Sequence, residues 1–119
     1  MSAYTPAQVV EETGLSIDTL RYYEKIGLLD AVGRNAAGQR RFTDAHLEQL
    51  SIARCLRESG MPIADVARYA ALARAGEHTI DQRIALLEEH EARVRARMES
   101  LRDQQRYITR KIAYYRSVR

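Results

Sequence analysis

The sequence predicts a mostly α-helical chain: a helix-turn-helix with a short β-hairpin wing, then one long helix that pairs with a second copy as a coiled coil. Three observations predict it. Two short capped helices flank the tight turn Thr13-Gly14-Leu15. A glycine-bracketed stretch at 28–42 separates them from two further capped helices. From Thr79 onward no Gly or Pro interrupts an apolar repeat of 4,3 spacing.

Each element has a local cause. Thr5-Pro6-Ala7-Gln8 places a capping Thr, a Pro at the first helical position and a Gln at the third. Tyr4 and Val9 are spaced as a hydrophobic staple, and Gly14 stops this helix after Thr13. Ser16-Ile17-Asp18-Thr19 starts the second helix at once, with Leu15 and Leu20 as its staple, and it ends near Gly27. Gly33 and Gly38 bracket Arg34-Asn35-Ala36-Ala37. Val32 on one side and Arg40-Arg41-Phe42 on the other form a hairpin whose loop exceeds two residues. Thr43 caps a third helix from Asp44 to about Ser59, with Phe42 and Leu47 as staple, and Gly60 ends it. Pro62 opens a fourth helix that ends near Gly76. Thr79-Ile80-Asp81-Gln82 reads as one more capping box, opening a helix to 116 that would be about 57 Å long. The expected domains are 1–76, the winged helix-turn-helix, and 79–119, the coiled-coil helix, with no separate effector domain.

The long helix carries the pairing surface. Ile80, Leu87, Val94, Leu101, Ile108 and Tyr115 occupy d positions, and Ile84, Glu91, Met98, Gln105 and Ile112 occupy a positions. A domain of about 75 residues cannot bury so long a stripe, which makes a coiled-coil homodimer the expected solution. The alternative is an amphipathic helix folded across its own domain. Glu91 and Gln105 break the stripe. They either select register as polar a residues or sit at the edge of a less regular interface.

Composition bounds the rest. The 119 residues include 19 Lys+Arg against 16 Asp+Glu, a net charge of +3. Only Lys25 and Lys111 are Lys; the other basic residues are Arg, the better residue for bidentate phosphate contact. Location matters more than the sum. Residues 1–60 hold seven basic and eight acidic side chains, whereas 93–119 hold nine and two. The excess lies on the long helix, and any nucleic-acid signal in the first half is local. A lone Cys excludes a disulfide framework and suits a reducing compartment. No apolar run spans a membrane, and the start from Met1 to Pro6 lacks the layout of a secretory signal, so a soluble cytoplasmic protein is expected. No Ser/His/Asp set, glycine-rich phosphate loop or paired carboxylates appear, so an enzyme is not expected. His46, His78 and His90 are scattered and read as surface residues, and one thiol cannot hold a soft metal; neither metal nor cofactor is expected.

Two segments carry a family likeness. Thr19-Leu20-Arg21-Tyr22-Tyr23-Glu24-Lys25-Ile26-Gly27-Leu28-Leu29, followed by Gly38-Gln39-Arg40-Arg41-Phe42, closely resembles the MerR family of bacterial transcription regulators. Cys55-Leu56-Arg57-Glu58-Ser59-Gly60-Met61 and the tail around Lys111-Ile112-Ala113-Tyr114-Tyr115-Arg116 are similar to the branch typified by NmlR and AdhR, which responds to aldehydes, other electrophiles or nitrosative stress. Gln39 stands where the family wing usually has Tyr, and Asp30-Ala31 where Pro is frequent. The resemblance implies an antiparallel coiled-coil dimer that binds double-stranded promoter DNA, distorts an over-long spacer and works with RNA polymerase there, with no membrane partner. In that orientation the basic helix end would face the acidic 88–91 stretch of the partner copy.

Roles follow residue by residue. The first half of the second helix enters the major groove, where Ser16, Asp18 and Thr19 suit base-edge or phosphate contact. Ile17 and Leu20 pack inward or against thymine methyls, and Tyr23 fits the core. The resemblance implies that Arg21 and Tyr22 clamp phosphate and flanking bases, with Thr5 and Lys25 beside them. The wing residues Arg34, Asn35, Gln39, Arg40 and Arg41 would follow the backbone or the minor groove, where Arg is favoured; the plainer alternative is a solvated hairpin. Cys55 is either a small core thiol or, as the resemblance implies, a sensor thiol that reacts with electrophiles or nitric oxide and shifts the third helix. The competing functions are a coiled-coil interaction or adaptor protein and a constitutive regulator that senses no small molecule.

Overall fold

The computed structural model describes residues 3–119, so Met1 and Ser2 of the amino-terminal stretch lie outside it. The elements run β1 (Ala3–Tyr4), α1 (Pro6–Thr13), α2 (Ile17–Lys25), β2 (Gly33–Arg34), β3 (Arg40–Thr43), α3 (Asp44–Glu58), α4 (Ile63–Ala75) and α5 (Ile80–Val118). The mostly helical fold with a hairpin wing and a long last helix is the one the sequence predicts. Among the described residues no helix is long and apolar enough to cross a membrane.

The first three helices begin on side-chain caps. Thr5 accepts from the Gln8 amide while the Gln8 side chain accepts from the Thr5 amide, and Ser16 accepts from the Thr19 amide. Thr43 caps α3 in the same reciprocal way, with His46 taking the part usually played by Glu or Gln. Gly14 ends α1 in the left-handed region at φ 74°, a conformation that costs an L residue about 1–2 kcal/mol.

The start of α5 differs from expectation. Thr79 is not its capping-box residue but closes a short 3-10 turn, Glu77–Thr79. Its hydroxyl contacts the carbonyls of Leu72 at 2.5 Å and Gly76 at 2.8 Å, and accepts from Arg83 Nε at 3.1 Å. The hydroxyl is thus used to tie this turn to the end of α4 rather than to satisfy a first-turn amide.

A small sheet of order β1-β3-β2 is antiparallel throughout. Ala3 pairs with Thr43 and Tyr4 with Phe42; Gly33 pairs with Arg41 and Arg34 with Arg40. The first strand is absent from the sequence expectation, because two residues are too few to show a period-2 pattern. Val32, expected in the hairpin, lies just before β2. The core is Val9, Leu20, Leu28, Phe42, Leu50, Met61 and Val66, fully buried, with Tyr23 beside them. Burying each side chain contributes about 1.5–3 kcal/mol.

Two histidines are corrected by the fold. His46 and His90 are buried and only His78 is exposed, against the expectation of three surface residues. His46 accepts from the Thr43 amide at Nδ1 (2.9 Å) and, through Nε2, donates to the Asp30 carbonyl at 3.1 Å, while Phe42 meets the ring edge-on at 5.8 Å. It is a structural bridge from α3 to the segment that leaves α2.

Contacts divide the chain into two units, residues 1–84 and 85–119. The second is a single helix whose apolar positions are exposed, among them Met98, Leu101 (63 %), Ile108 (58 %), Ile112 and Tyr115. Leu87 and Val94 are half-buried, and Ile80 and Ile84, in the first unit, are exposed.

Candidate nucleic-acid interface

The site is built on α2. Ser16, Asp18, Arg21, Tyr22 and Lys25 are all exposed, whereas Leu20 and Tyr23 are buried. Positions 18, 21, 22 and 25 follow the i, i+3, i+4, i+7 spacing and therefore share one face. The sequence thus divides the helix into a core-anchoring side and a polar side. Asp18 in the first turn and Lys25 in the last complement the helix dipole. Thr19 is half-buried, and its hydroxyl receives a 2.9 Å hydrogen bond from Ser16 Oγ. Thr5 is exposed, with its hydroxyl used in the α1 cap. Ile17 is exposed too, and Leu20 is not.

The wing is a compact turn. Gly38 N donates to the Asn35 carbonyl at 3.0 Å, and Asn35 N donates to the Gln39 carbonyl at 2.9 Å. Asn35 Oδ1 accepts from the amides of Ala37 (2.9 Å) and Gln39 (3.0 Å), an Asx-type turn. Gly38 supplies the positive φ of 82° that closes it. The Asn35 side chain is therefore spent on the turn. Gln39 and Arg41 are exposed.

The structure separates the cations that look alike in sequence. Arg40 Nε donates to both oxygens of Glu24, at 2.9 and 2.7 Å, which ties β3 to the flank of α2. Arg34 Nη1 donates to the Gly38 carbonyl at 2.8 Å. Arg57 Nη1 donates to the Met61 carbonyl at 2.8 Å, and Arg54 Nε to Glu58 Oε1 at 2.8 Å. Arg21, Lys25 and Arg41 have no hydrogen bond or ion pair among the described residues. Three free cations, two on the polar face of α2 and one on the wing strand beside it, form the positive edge of the site. What sequence reasoning missed is Glu24. In the sequence it stands only as part of the motif, and its role becomes visible once Arg40 is brought across from 16 residues away.

Cys55 is exposed on α3 and is not a buried core thiol. Its two neighbours Arg54 and Arg57 direct their guanidinium groups to Glu58 and Met61, not to the sulfur. Among the described residues no group of three His, Cys, Asp or Glu is placed to hold a metal ion.

Comparisons with known proteins agree with this architecture. The family description "MerR HTH family regulatory protein" matches residues 4–72, and "MerR, DNA binding" matches residues 47–111. An uncharacterized HTH-type transcriptional regulator of Haemophilus influenzae is 38% identical over 116 residues, covering 98% of this chain and 86% of its own length. The HTH-type transcriptional regulator AdhR of Bacillus subtilis is 32% identical over 88 residues, 74% of this chain and 63% of AdhR. The crystal structure of HiNmlR, described as a MerR family regulator lacking the sensor domain and bound to promoter DNA, superposes with a TM-score of 0.88 at 38% identity, covering 97% of this chain and 87% of that one.

Proposed function

The chain belongs to the MerR family of helix-turn-helix regulators, and from that premise we propose that two copies bind one promoter site and distort it so that RNA polymerase can use it. It is a DNA-binding transcription regulator and not an enzyme. The observation that carries the reading is the polar face of α2, where Asp18, Arg21, Tyr22 and Lys25 stand exposed while the opposite face is locked in the core. A recognition helix needs this division, because base edges and phosphates are met only by side chains that the fold leaves unspent.

In this reading Asp18 and Ser16 face base edges, Arg21, Tyr22 and Lys25 meet the backbone, and Arg41 extends the phosphate contact through the wing. Arg34, Asn35, Gln39 and Arg40 act by giving the wing its shape and place, and Thr5 and Thr19 by capping or buttressing helices. The exposed a/d stripe of α5 supports homodimer formation, since a row of exposed Met, Leu and Ile at heptad spacing is covered at least cost by its own copy. Dimerisation supplies the second half-site that a single helix-turn-helix lacks. The place of work is the cytoplasm, where bacterial promoters lie.

Exposure of Cys55 supports its proposed part as a thiol open to electrophiles or nitric oxide. Modification there would shift α3. A Cys55→Ser chain that still responds fully to aldehyde or a nitric oxide donor in cells would leave a constitutive regulator as the better description.

Footprinting on chromosomal fragments tests the whole reading. The parent chain is expected to protect a two-fold symmetric promoter site, and Arg21→Ala to lose that protection while staying dimeric. Protection that survives Arg21→Ala would favour the coiled-coil adaptor.

A further inference from the structure

Two arginines outside the DNA-facing set reach the backbone on either side of α2, one at the α1–α2 turn and one at the turn after α2, from two different helices. Arg54, on α3, donates through Nη1 to the Thr13 carbonyl, in the turn that enters α2. Its Nε is held by Glu58 Oε1 at 2.8 Å, so the guanidinium is aimed from behind. Gly14 leaves room for it: a Cβ there would lie 2.5 Å from Arg54 Nη1. Arg74, on α4, donates through Nη1 to the Gly27 carbonyl, in the turn that leaves α2. Both acceptors lie at helix C-termini, Thr13 as the last residue of α1 and Gly27 just past α2, where carbonyls lack intrahelical partners and carry the negative end of the dipole.

Apolar packing cannot do what these bonds do. Leu20 and Tyr23 press α2 against the core, and that force is non-directional. It resists separation but permits small rotations and sliding. Two directional bonds, one in the turn that leads into α2 and one in the turn that leaves it, restrict both. Base readout depends on placing donors within hydrogen-bond range of particular base atoms. Attraction to phosphate is long-ranged and tolerates such slips.

We infer that Arg54 and Arg74 are positioning residues for DNA reading: from α3 and α4 they fix the setting of α2, so that their loss costs sequence discrimination rather than general DNA affinity. The inference rests on the DNA-binding reading above. It also gives α3, the helix that carries Cys55, a direct hold on the turn of the helix-turn-helix.

The test uses the full chain, a promoter duplex recovered by footprinting with the parent chain, and a shuffled duplex of the same composition. Affinities for both are measured across a salt series for Arg54→Gln, Arg74→Gln and the two Lys variants, alongside thermal unfolding. The expected result is a promoter-to-shuffled affinity ratio lowered at least about ten-fold in the Gln variants. Binding of the shuffled duplex and its salt slope stay at parent values, and the Lys variants recover part of the ratio. A salt slope reduced by about one on both duplexes would make the arginine a phosphate contact and overturn the inference. An unchanged ratio in a folded but less stable variant would make it a merely structural residue and overturn it equally. If Arg54→Gln does not fold, Glu58→Gln decides. It keeps Arg54 but removes its support, and an unchanged ratio in that variant counts against the inference. A parent chain that holds both duplexes alike sinks the DNA-reading function itself, and the inference with it.

Discussion

The Glu24 carboxylate holds Arg40 through hydrogen bonds from one nitrogen, Nε, at 2.9 Å to Oε1 and 2.7 Å to Oε2. The pair joins the last turn of α2 to the wing strand β3. It sits partly covered, with Arg40 at 39 % and Glu24 at 25 % side-chain exposure. At that exposure its worth to stability is modest, about 0.5–1 kcal/mol. Its geometric effect is larger, because it fixes where the exposed Arg41, the next residue along the strand, stands relative to Arg21.

Arg40→Ala and Glu24→Ala should each lower stability by no more than about 1 kcal/mol. Promoter affinity should fall about ten-fold, because the wing must then be ordered on binding. The double variant should bind no worse than either single one, since the two share one interaction. A double-mutant cycle by thermal unfolding and fluorescence anisotropy reads both numbers; additive losses of affinity would mean that Arg40 also meets DNA on its own.

The free and committed cations should separate by salt dependence. Arg21→Ala and Arg41→Ala are each expected to reduce the slope of log affinity against log salt by about one. Arg34→Ala should change the slope less, because the bond to the Gly38 carbonyl turns the Arg34 guanidinium, still charged, in toward its own turn. Equal slope changes at all three positions would show that the internal bond breaks on binding.

His46 should matter for stability out of proportion to a polar residue. It is 4 % exposed and bridges the Thr43 amide to the Asp30 carbonyl. His46→Ala removes two backbone hydrogen bonds of about 1 kcal/mol each and leaves a cavity, for a loss of about 2–4 kcal/mol. His46→Gln keeps the capping-box partner and should lose about half as much. Chemical denaturation checks both, and a loss under about 0.5 kcal/mol for the Ala variant would contradict the bridge.

The helix stripe predicts an oligomeric state. Leu101→Asp or Ile108→Asp places a charge in the proposed seam, where it would be buried unpaired. Analytical ultracentrifugation should find the parent dimeric and either variant monomeric, with helix content reduced because a lone amphipathic helix is marginal in water. Variants that stay dimeric would move the interface off this stripe.

The elements of the fold were legible because their signals are local. Thr5 with Gln8, Ser16 before α2, Thr43 before α3 and the glycines at 14, 27 and 60 act across a few residues, and the helices start and stop where they say. The apolar 4,3 repeat likewise announces a helix, and α5 runs Ile80–Val118. Where a local signal is ambiguous, distant groups override it: Thr79 carries a capping-box pattern, but the Leu72 and Gly76 carbonyls compete for its hydroxyl and win it.

Local signals in the chain specify which helices form, that the second divides into a polar and an apolar side, and that the last carries an apolar stripe of 4,3 spacing. Which side-chain charges find a partner depends on the folded packing. In the sequence nothing beside Arg21, Arg40, Arg54 or Arg74 names the group its guanidinium will meet. In the fold Arg40 meets Glu24 across 16 positions, Arg54 meets Thr13 across 41 and Arg74 meets Gly27 across 47, while Arg21 meets nothing among the described residues. A helix signal acts within a turn or two of backbone. A guanidinium's partner is set by which distant carbonyl or carboxylate the packed core delivers within 3 Å or so, and no local pattern encodes that meeting.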